Sequence, residues 1–281
     1  MSAPAALAVD RGAVDPGAVA QGAANRGAAV EARALTRRFG AFTAVDAITF
    51  TVAEGEVFGF LGANGAGKTT AMRMLTGLLA PSSGQARVAG FDVYTQVEDI
   101  KRSIGYMSQR FSLYEDLTVR ENIQLYGGIY GLTDEEIADR SERLLERLEL
   151  RSGRELVGSL PLGWKQKLAF SVAMVHQPRV VFLDEPTGGV DPITRRQFWE
   201  MIYEAAAGGT TVFVTTHYMD EAEYCDRVSI MVAGRIGGLG TPDELKAQFG
   251  AATMDEVFVR LARPAEGAET ASAGGRKETG G

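Results

Sequence analysis

Gly62-Ala63-Asn64-Gly65-Ala66-Gly67-Lys68-Thr69 matches the pattern G-x-x-x-x-G-K-[ST] of a phosphate-binding loop. Its flanks are the ones such a loop requires. Val57-Phe58-Gly59-Phe60-Leu61 before it is an apolar run that reads as a buried strand, and the stretch from Thr70 to Leu79 after it reads as a helix. The glycines let the backbone wrap closely around a polyphosphate with its N–H groups turned inward. The helix adds the positive end of its dipole. Residues Gly62, Ala63, Asn64, Gly65, Ala66, Gly67, Lys68, Thr69 and Thr70 are therefore the expected phosphate contacts. Lys68 is expected to reach the β/γ-phosphates, and the Thr69 hydroxyl to ligate Mg²⁺.

The rest of the composition sets limits. At 281 residues the chain can bury a full core. A net charge of -7 gives no general attraction to nucleic acid or anionic lipid. The single cysteine, Cys225, has no partner for an internal disulfide and suits a reducing compartment. No run of eighteen apolar residues occurs, so a membrane role would have to go through a partner. Residues 1–29 are rich in Ala and Gly and read as a disordered tail, as do residues 263–281.

Between the tails the pattern is regular. Val30 to Leu35 and Ala47 to Val52 read as strands joined by Thr36 to Phe42. Phe39, on that connection, is either an adenine-stacking ring or a core phenylalanine. Gln85 to Val88 and Ile104 to Met107 read as further strands. Gln109 follows the second, where its amide can touch Mg²⁺ or an attacking water, or can simply face solvent. About Leu117 to Met174 is a helical block. Within it, Thr133 and Glu136 form a capping box, and Ile137, Leu144, Leu145 and Leu148 share one helical face. Val180 to Asp184 is a buried strand ending in two adjacent carboxylates, Asp184 and Glu185. Such a pair is costly to bury unless a cation or base chemistry uses it: Asp184 suits an Mg²⁺ shell and Glu185 suits polarising a water. Thr211 to Thr215 is a strand leading to His217. A histidine there is structural or hydrogen-bonds a γ-phosphate, and its place at a strand's carboxyl end favours the second. Helices are expected from Thr194 to Ala207, from Tyr218 to Tyr224, after Thr241-Pro242 and from Met254 to Leu261, with a strand from Arg227 to Val232.

Taken in this order, the pieces over roughly residues 30 to 262 resemble the nucleotide-binding subunit of an ABC transporter. The most specific are the phosphate loop, Asp184-Glu185-Pro186-Thr187-Gly188-Gly189-Val190-Asp191-Pro192, and Thr215-Thr216-His217 with Asp220-Glu221-Ala222-Glu223. The resemblance makes Phe39 the adenine-stacking aromatic, Gln109 the Q-loop glutamine, Glu185 the catalytic base, Asp191 part of the dimer-contact loop and His217 the switch histidine. It makes Phe111 to Asn122 the segment that meets a permease. Met254 to Arg260 looks like the end of ABC-2 type exporter ATPases, drug-resistance subunits among them.

The family's Leu-Ser-Gly-Gly-Gln signature is replaced here by Leu160-Pro161-Leu162-Gly163-Trp164. In the family this loop closes over the γ-phosphate held by the other subunit, which would make Gly163 a nucleotide contact in trans. Pro161 has neither a hydroxyl nor an N–H to offer. A charge-assisted hydrogen bond is worth about 1.5–3 kcal/mol, so its loss would slow turnover roughly ten- to a hundredfold. The variant resembles one found among bacterial ABC-2 export ATPases and points to a subtype.

The expected fold is α/β, a P-loop core of the ABC type: a mixed core sheet, an antiparallel β portion near residues 30–60 and a helical lobe near 110–175. The expected activity is ATP hydrolysis with Mg²⁺ by a homo- or heterodimer. Thr69, Gln109 and Asp184 would serve the metal, and Lys68, Glu185 and His217 the chemistry. The dimer would lie on the cytoplasmic face of the membrane and drive export through a separate ABC-2 type permease. The competing class is a non-transport ABC ATPase acting on ribosome or DNA. The single domain, the lack of a heptad arm and the negative charge count against it.

Overall fold

The computed structural model describes residues 27–109, 112–150 and 152–262. Its first element is a long hairpin, β1 (Ala28–Phe39) and β2 (Phe42–Ala53), paired antiparallel with a turn at Gly40-Ala41. The strands run several residues beyond the expected spans. Ala28 and Ala29, expected in the tail, already pair in β1, and Thr36 to Phe39, expected as a connection, continue it. The periodicity breaks because the register shifts around Ala34, whose φ is 48°. A bulge there moves side chains from one face to the other without ending the ladder. The rest of the expected tails, residues 1–26 and 263–281, lies outside the described residues.

β3 (Val57–Gly62) enters the phosphate loop and α1 (Lys68–Leu75) leaves it. β4 (Ser83–Val88) and the short β5 (Phe91–Asp92) complete an antiparallel sheet of order β2-β1-β4-β5. This sheet thus reaches to residue 92, and residues 57–62 belong to the other sheet. α2 (Val97–Ser103) leads to β6 (Ile104–Met107). The lobe holds α3 (Val119–Ile129) and α4 (Asp134–Arg147), each opened by a Thr–Glu capping box, at Thr118/Glu121 and Thr133/Glu136. A 3₁₀ turn, Val157–Ser159, precedes α5 (Leu162–Ala173). Then come β7 (Val180–Asp184), α6 (Pro192–Ala207), β8 (Thr211–Thr216), a 3₁₀ segment at Met219–Tyr224, β9 (Arg227–Val232), β10 (Arg235–Gly240) and α7 (Pro242–Phe249). A final helix, α8, covers 254–262.

The second sheet runs β10-β9-β3-β8-β7-β6, all parallel except β10 against β9. Its side chains alternate between two cores, as the two-residue period of a strand requires. Phe58, Phe60, Phe182 and Phe213 face the antiparallel sheet and α1; the first two and Phe213 meet Phe50, and Phe182 meets Phe213. Val57, Leu61, Leu183, Val212 and Val214 face α5, α6 and the lobe through Phe170, Phe198, Trp199 and Leu145. Each such fully buried side chain contributes about 1.5–3 kcal/mol. Burial on both faces makes β3, β7 and β8 uninterrupted apolar runs. It also holds their carboxyl ends, which carry the polar residues, in one rigid row.

Candidate functional site

Three strands end side by side. β3 delivers the phosphate loop, β7 delivers Asp184 and Glu185, and β8 delivers His217. β6, beside β7, delivers Gln109.

The loop's shape depends on glycine at two points. Gly62 has φ 152°, and a Cβ there would come 2.6 Å from the Met231 carbonyl oxygen. Gly67 has φ 104°, and a Cβ would come 2.5 Å from the Ala44 carbonyl oxygen. Both conformations favour glycine and both close approaches need it. The loop is further tied down by the Gly234 N–H, which donates to the Ala66 carbonyl at 3.0 Å. No side chain caps α1 at Gly67, so its first N–H groups remain for an anion.

Lys68 is buried and donates to the carbonyls of Gly62 at 2.6 Å and Ala63 at 3.2 Å. Its ammonium lies 3.7 Å from Glu185 Oε1. Burial pulls its pKa down, against the upward pull of Glu185 and then Asp184. Glu185 Oε2 accepts from Gln109 Nε2 at 2.8 Å. The same oxygen lies 3.1 Å from His217 Nδ1, at hydrogen-bond length but without the alignment of one. Lysine, glutamine and histidine thus converge on one carboxylate. Glu185 itself sits at φ 51°, a left-handed conformation rare outside glycine. Its N–H donates to both the backbone carbonyl and the hydroxyl of Thr215, each at 3.1 Å. That grip compensates a local strain of order 1–3 kcal/mol and aims the carboxylate.

Asp184 is buried and accepts from the Thr215 hydroxyl at 2.6 Å. Burial pushes its carboxyl up, opposed by the Thr215 bond. The Glu185 charge raises it further, while the Thr69 hydroxyl and Lys68 lower it. A carboxyl so placed gains from a nearby cation. Among the described residues no cluster of three or more His, Cys, Asp or Glu could hold a metal by itself. An Mg²⁺ site needs none: one carboxylate and a hydroxyl suffice when phosphates and waters complete the octahedron. Thr69 and Asp184 fit that role. Gln109 turns its amide nitrogen to Glu185, leaving its oxygen for a cation or water.

Phe39 is 47% exposed at the hairpin tip, which removes the core reading. Its ring is backed by the Arg37 guanidinium, 4.6 Å from the centroid, a cation–π contact that steadies it. Its cross-strand partner Phe42 is two residues before Ala44, which abuts Gly67. The strand that pairs with Phe39 thus runs on to the phosphate loop. Gly163 lies elsewhere, in the first turn of α5. A Cβ there would come 2.6 Å from Thr194 Cγ2, so glycine permits α5 to approach α6. Pro161 is the N-cap of α5 and no side chain bonds to that end. Asp191 caps α6, accepting from the N–H groups of Ile193 and Thr194 at 3.0 Å each.

A family model described as "ABC transporter" matches residues 45–188. The chain belongs to the ABC transporter family. A protein of Escherichia coli described as "Probable multidrug ABC transporter ATP-binding protein YbhF" is 46% identical over 238 residues, covering 83% of this chain and 41% of that protein. The chain thus spans less than half the length of that relative. The daunorubicin resistance ATP-binding protein DrrA3 of Streptomyces coeruleorubidus is 40% identical over 224 residues, covering 79% of this chain and 71% of that one. A solved structure described as the ATP binding subunit of an ABC transporter has a TM-score of 0.75 at 31% identity, over 83% of this chain and 98% of that one. The fold is accordingly the P-loop fold of ABC ATPases.

Three polar residues at or beside the site of this ABC ATPase domain carry no individual role in the sequence reading: Thr215, which bonds to Asp184 and to the Glu185 N–H, and the buried pair Thr187 and Glu221. Thr215 was visible as a hydroxyl at the end of an apolar strand, the position from which it reaches the neighbouring strand's carboxylate. Thr187 and Glu221 meet only through the fold.

Proposed function

We propose that this chain binds ATP with Mg²⁺ and hydrolyses it as one half of a head-to-tail pair, driving export through a separate permease. The observation that carries the reading is the convergence of Lys68, Gln109 and His217 on Glu185 beside a phosphate loop. Lys68 and the loop N–H groups hold the β- and γ-phosphates. Phe39 stacks on the adenine. Glu185 orients a water and takes up its proton, while His217 and Gln109 fix the carboxylate and the γ-phosphate end. Thr69 and Asp184, with help from Gln109, would hold Mg²⁺, which when bound would supply charge neutralisation along the phosphates.

The uncapped start of α5, with the N–H groups of Leu162, Gly163 and Trp164, suits the γ-phosphate bound by the second chain. That second chain is either another copy or a close relative. The permease contact is assigned to Phe111–Asn122, of which Phe111 lies outside the described residues. Asn122 is buried and clamps this segment: its Oδ1 accepts from the Tyr114 N–H, and its Nδ2 donates to the carbonyls of Tyr114 and Thr118. Tyr114 is left exposed. No helix among the described residues is long and apolar enough to cross a membrane, and the reading gives that part to a permease. The resistance proteins among its relatives support an ABC-2 type exporter, placed on the cytoplasmic face. Domain limits of about 28–262, two residues earlier than expected because β1 begins at Ala28, with a lobe near 110–175, complete the reading.

The test is phosphate release by the purified chain with MgATP, together with co-purification of a membrane protein. Lys68→Ala should lower hydrolysis at least a hundredfold, since it removes the charge that neutralises the transferred phosphate. Equal rates in the two proteins would defeat the assignment.

A further inference from the structure

Past Glu185 the chain is fastened at two points. The Thr187 hydroxyl donates to Glu221 Oε1 at 2.6 Å, with both side chains buried. The Gly188 carbonyl accepts from Gln166 Nε2 of α5 at 3.1 Å. Glu221 has no exposed surface and lies four residues after His217, in the 3₁₀ segment Met219–Tyr224. Arg195 of α6 brings its Nε to 3.6 Å from Glu221 Oε1. It also places its guanidinium 4.7 Å from the Tyr218 ring centroid and its Nη1 3.7 Å from Asp220.

A fully buried carboxylate is a poor choice for stability alone. Glu221 Oε2 has no hydrogen-bond partner, and an apolar residue of similar volume would fill the space without the desolvation cost. Burial raises its pKa, opposed by the Thr187 hydroxyl and by Arg195. Thr187 follows Glu185 by two residues, and Glu221 itself follows His217 by four. Glu221 therefore joins the segments that carry the two catalytic side chains, without touching either side chain itself.

We infer that Glu221 is a positioning residue that, through the Thr187 hydroxyl, sets the spacing between Glu185 and His217. The inference rests on the hydrolytic function proposed above. The loop it holds is also bonded to α5, whose free end is assigned to the second nucleotide. The fastening therefore lies between the chain's own site and its contribution to the other one.

Steady-state ATPase and equilibrium ATP binding of the full chain test this with Glu221→Leu, Thr187→Val and Thr187→Ser. Glu221→Leu and Thr187→Val should each lower kcat about tenfold while KM and the ATP Kd stay within about twofold. Thr187→Ser, which restores the hydroxyl, should recover most of the rate. The double variant Glu221→Leu/Thr187→Val should be no slower than the worse single one, because one link is being removed twice. Wild-type kcat in a folded Thr187→Val variant overturns the inference. So does a loss in ATP affinity that matches the loss in kcat, or additive effects in the double variant. An inactive wild-type chain instead removes the proposed function, and the two failures are distinct.

Discussion

Replacing Glu185 by glutamine changes almost nothing in shape and one thing in chemistry. The glutamine Oε1 can still accept from Gln109 Nε2, which now donates at 2.8 Å, and the backbone grip of Thr215 on residue 185 does not involve the side chain. What disappears is the negative charge 3.7 Å from the Lys68 ammonium and the basic oxygen 3.1 Å from His217. A positioned general base contributes about 10²–10⁴-fold in rate, or roughly 3–5 kcal/mol of barrier. The phosphate contacts, Lys68 and the loop N–H groups, are untouched. Glu185→Gln should therefore lower kcat by roughly a thousandfold with ATP affinity preserved. The assay is phosphate release at saturating MgATP beside equilibrium binding of ATP. Hydrolysis at the wild-type rate would remove Glu185 from the base role. Loss of ATP binding would show instead that the carboxylate serves the ground state.

Two further outcomes are expected. Restoring the family signature with Pro161→Ser/Leu162→Gly should raise ATPase activity about tenfold, by returning a hydroxyl donor to the start of α5; no increase in the assembled transporter would reject the lost-bond account. His176 stacks on Tyr130, with centroids 3.6 Å apart, and its Nε2 lies 3.0 Å from the Ile104 carbonyl oxygen; burial pulls its pKa down to about 4. Because the folded value is depressed, the unfolded chain takes up the proton first, and stability is lost as pH falls from about 6.5 toward 4. Partial exposure reduces the full linkage energy to roughly 2 kcal/mol. Denaturant titrations at pH 7 and pH 4.5 should show wild type losing about that much more than His176→Gln, and equal losses would contradict it.

The parallel core was legible because burial on both faces makes its strands unbroken apolar runs that end in chemistry: Gly62, Asp184 and His217. Helix starts were legible where capping side chains announce them, as at Thr133 and Thr241. The edge strand β10 was not. Arg235-Ile236-Gly237-Gly238-Leu239-Gly240 has three glycines in six residues and no strand-like alternation, yet its glycines sit where helices pack. Cβ atoms at Gly237 and Gly238 would come 3.2 Å from the side chains of Leu261 and Leu245, so the glycines let the helices above settle closely on the strand. The bulge at Ala34 hid the length of β1 for a different reason: strand alternation is lost where a residue is inserted. Glu221 was visible only as one acid among three in Asp220-Glu221-Ala222-Glu223. Which of them is buried depends on Thr187, thirty-four positions away.

The central claim is that ATP is gripped between two chains, with a water aimed by Glu185. Sedimentation of Glu185→Gln with MgATP, and separately with MgADP, tests it most directly. The account predicts that ATP converts the protein to twice its monomer mass with one nucleotide bound per chain, and that ADP does not. A protein that stays monomeric while saturated with ATP would contradict it.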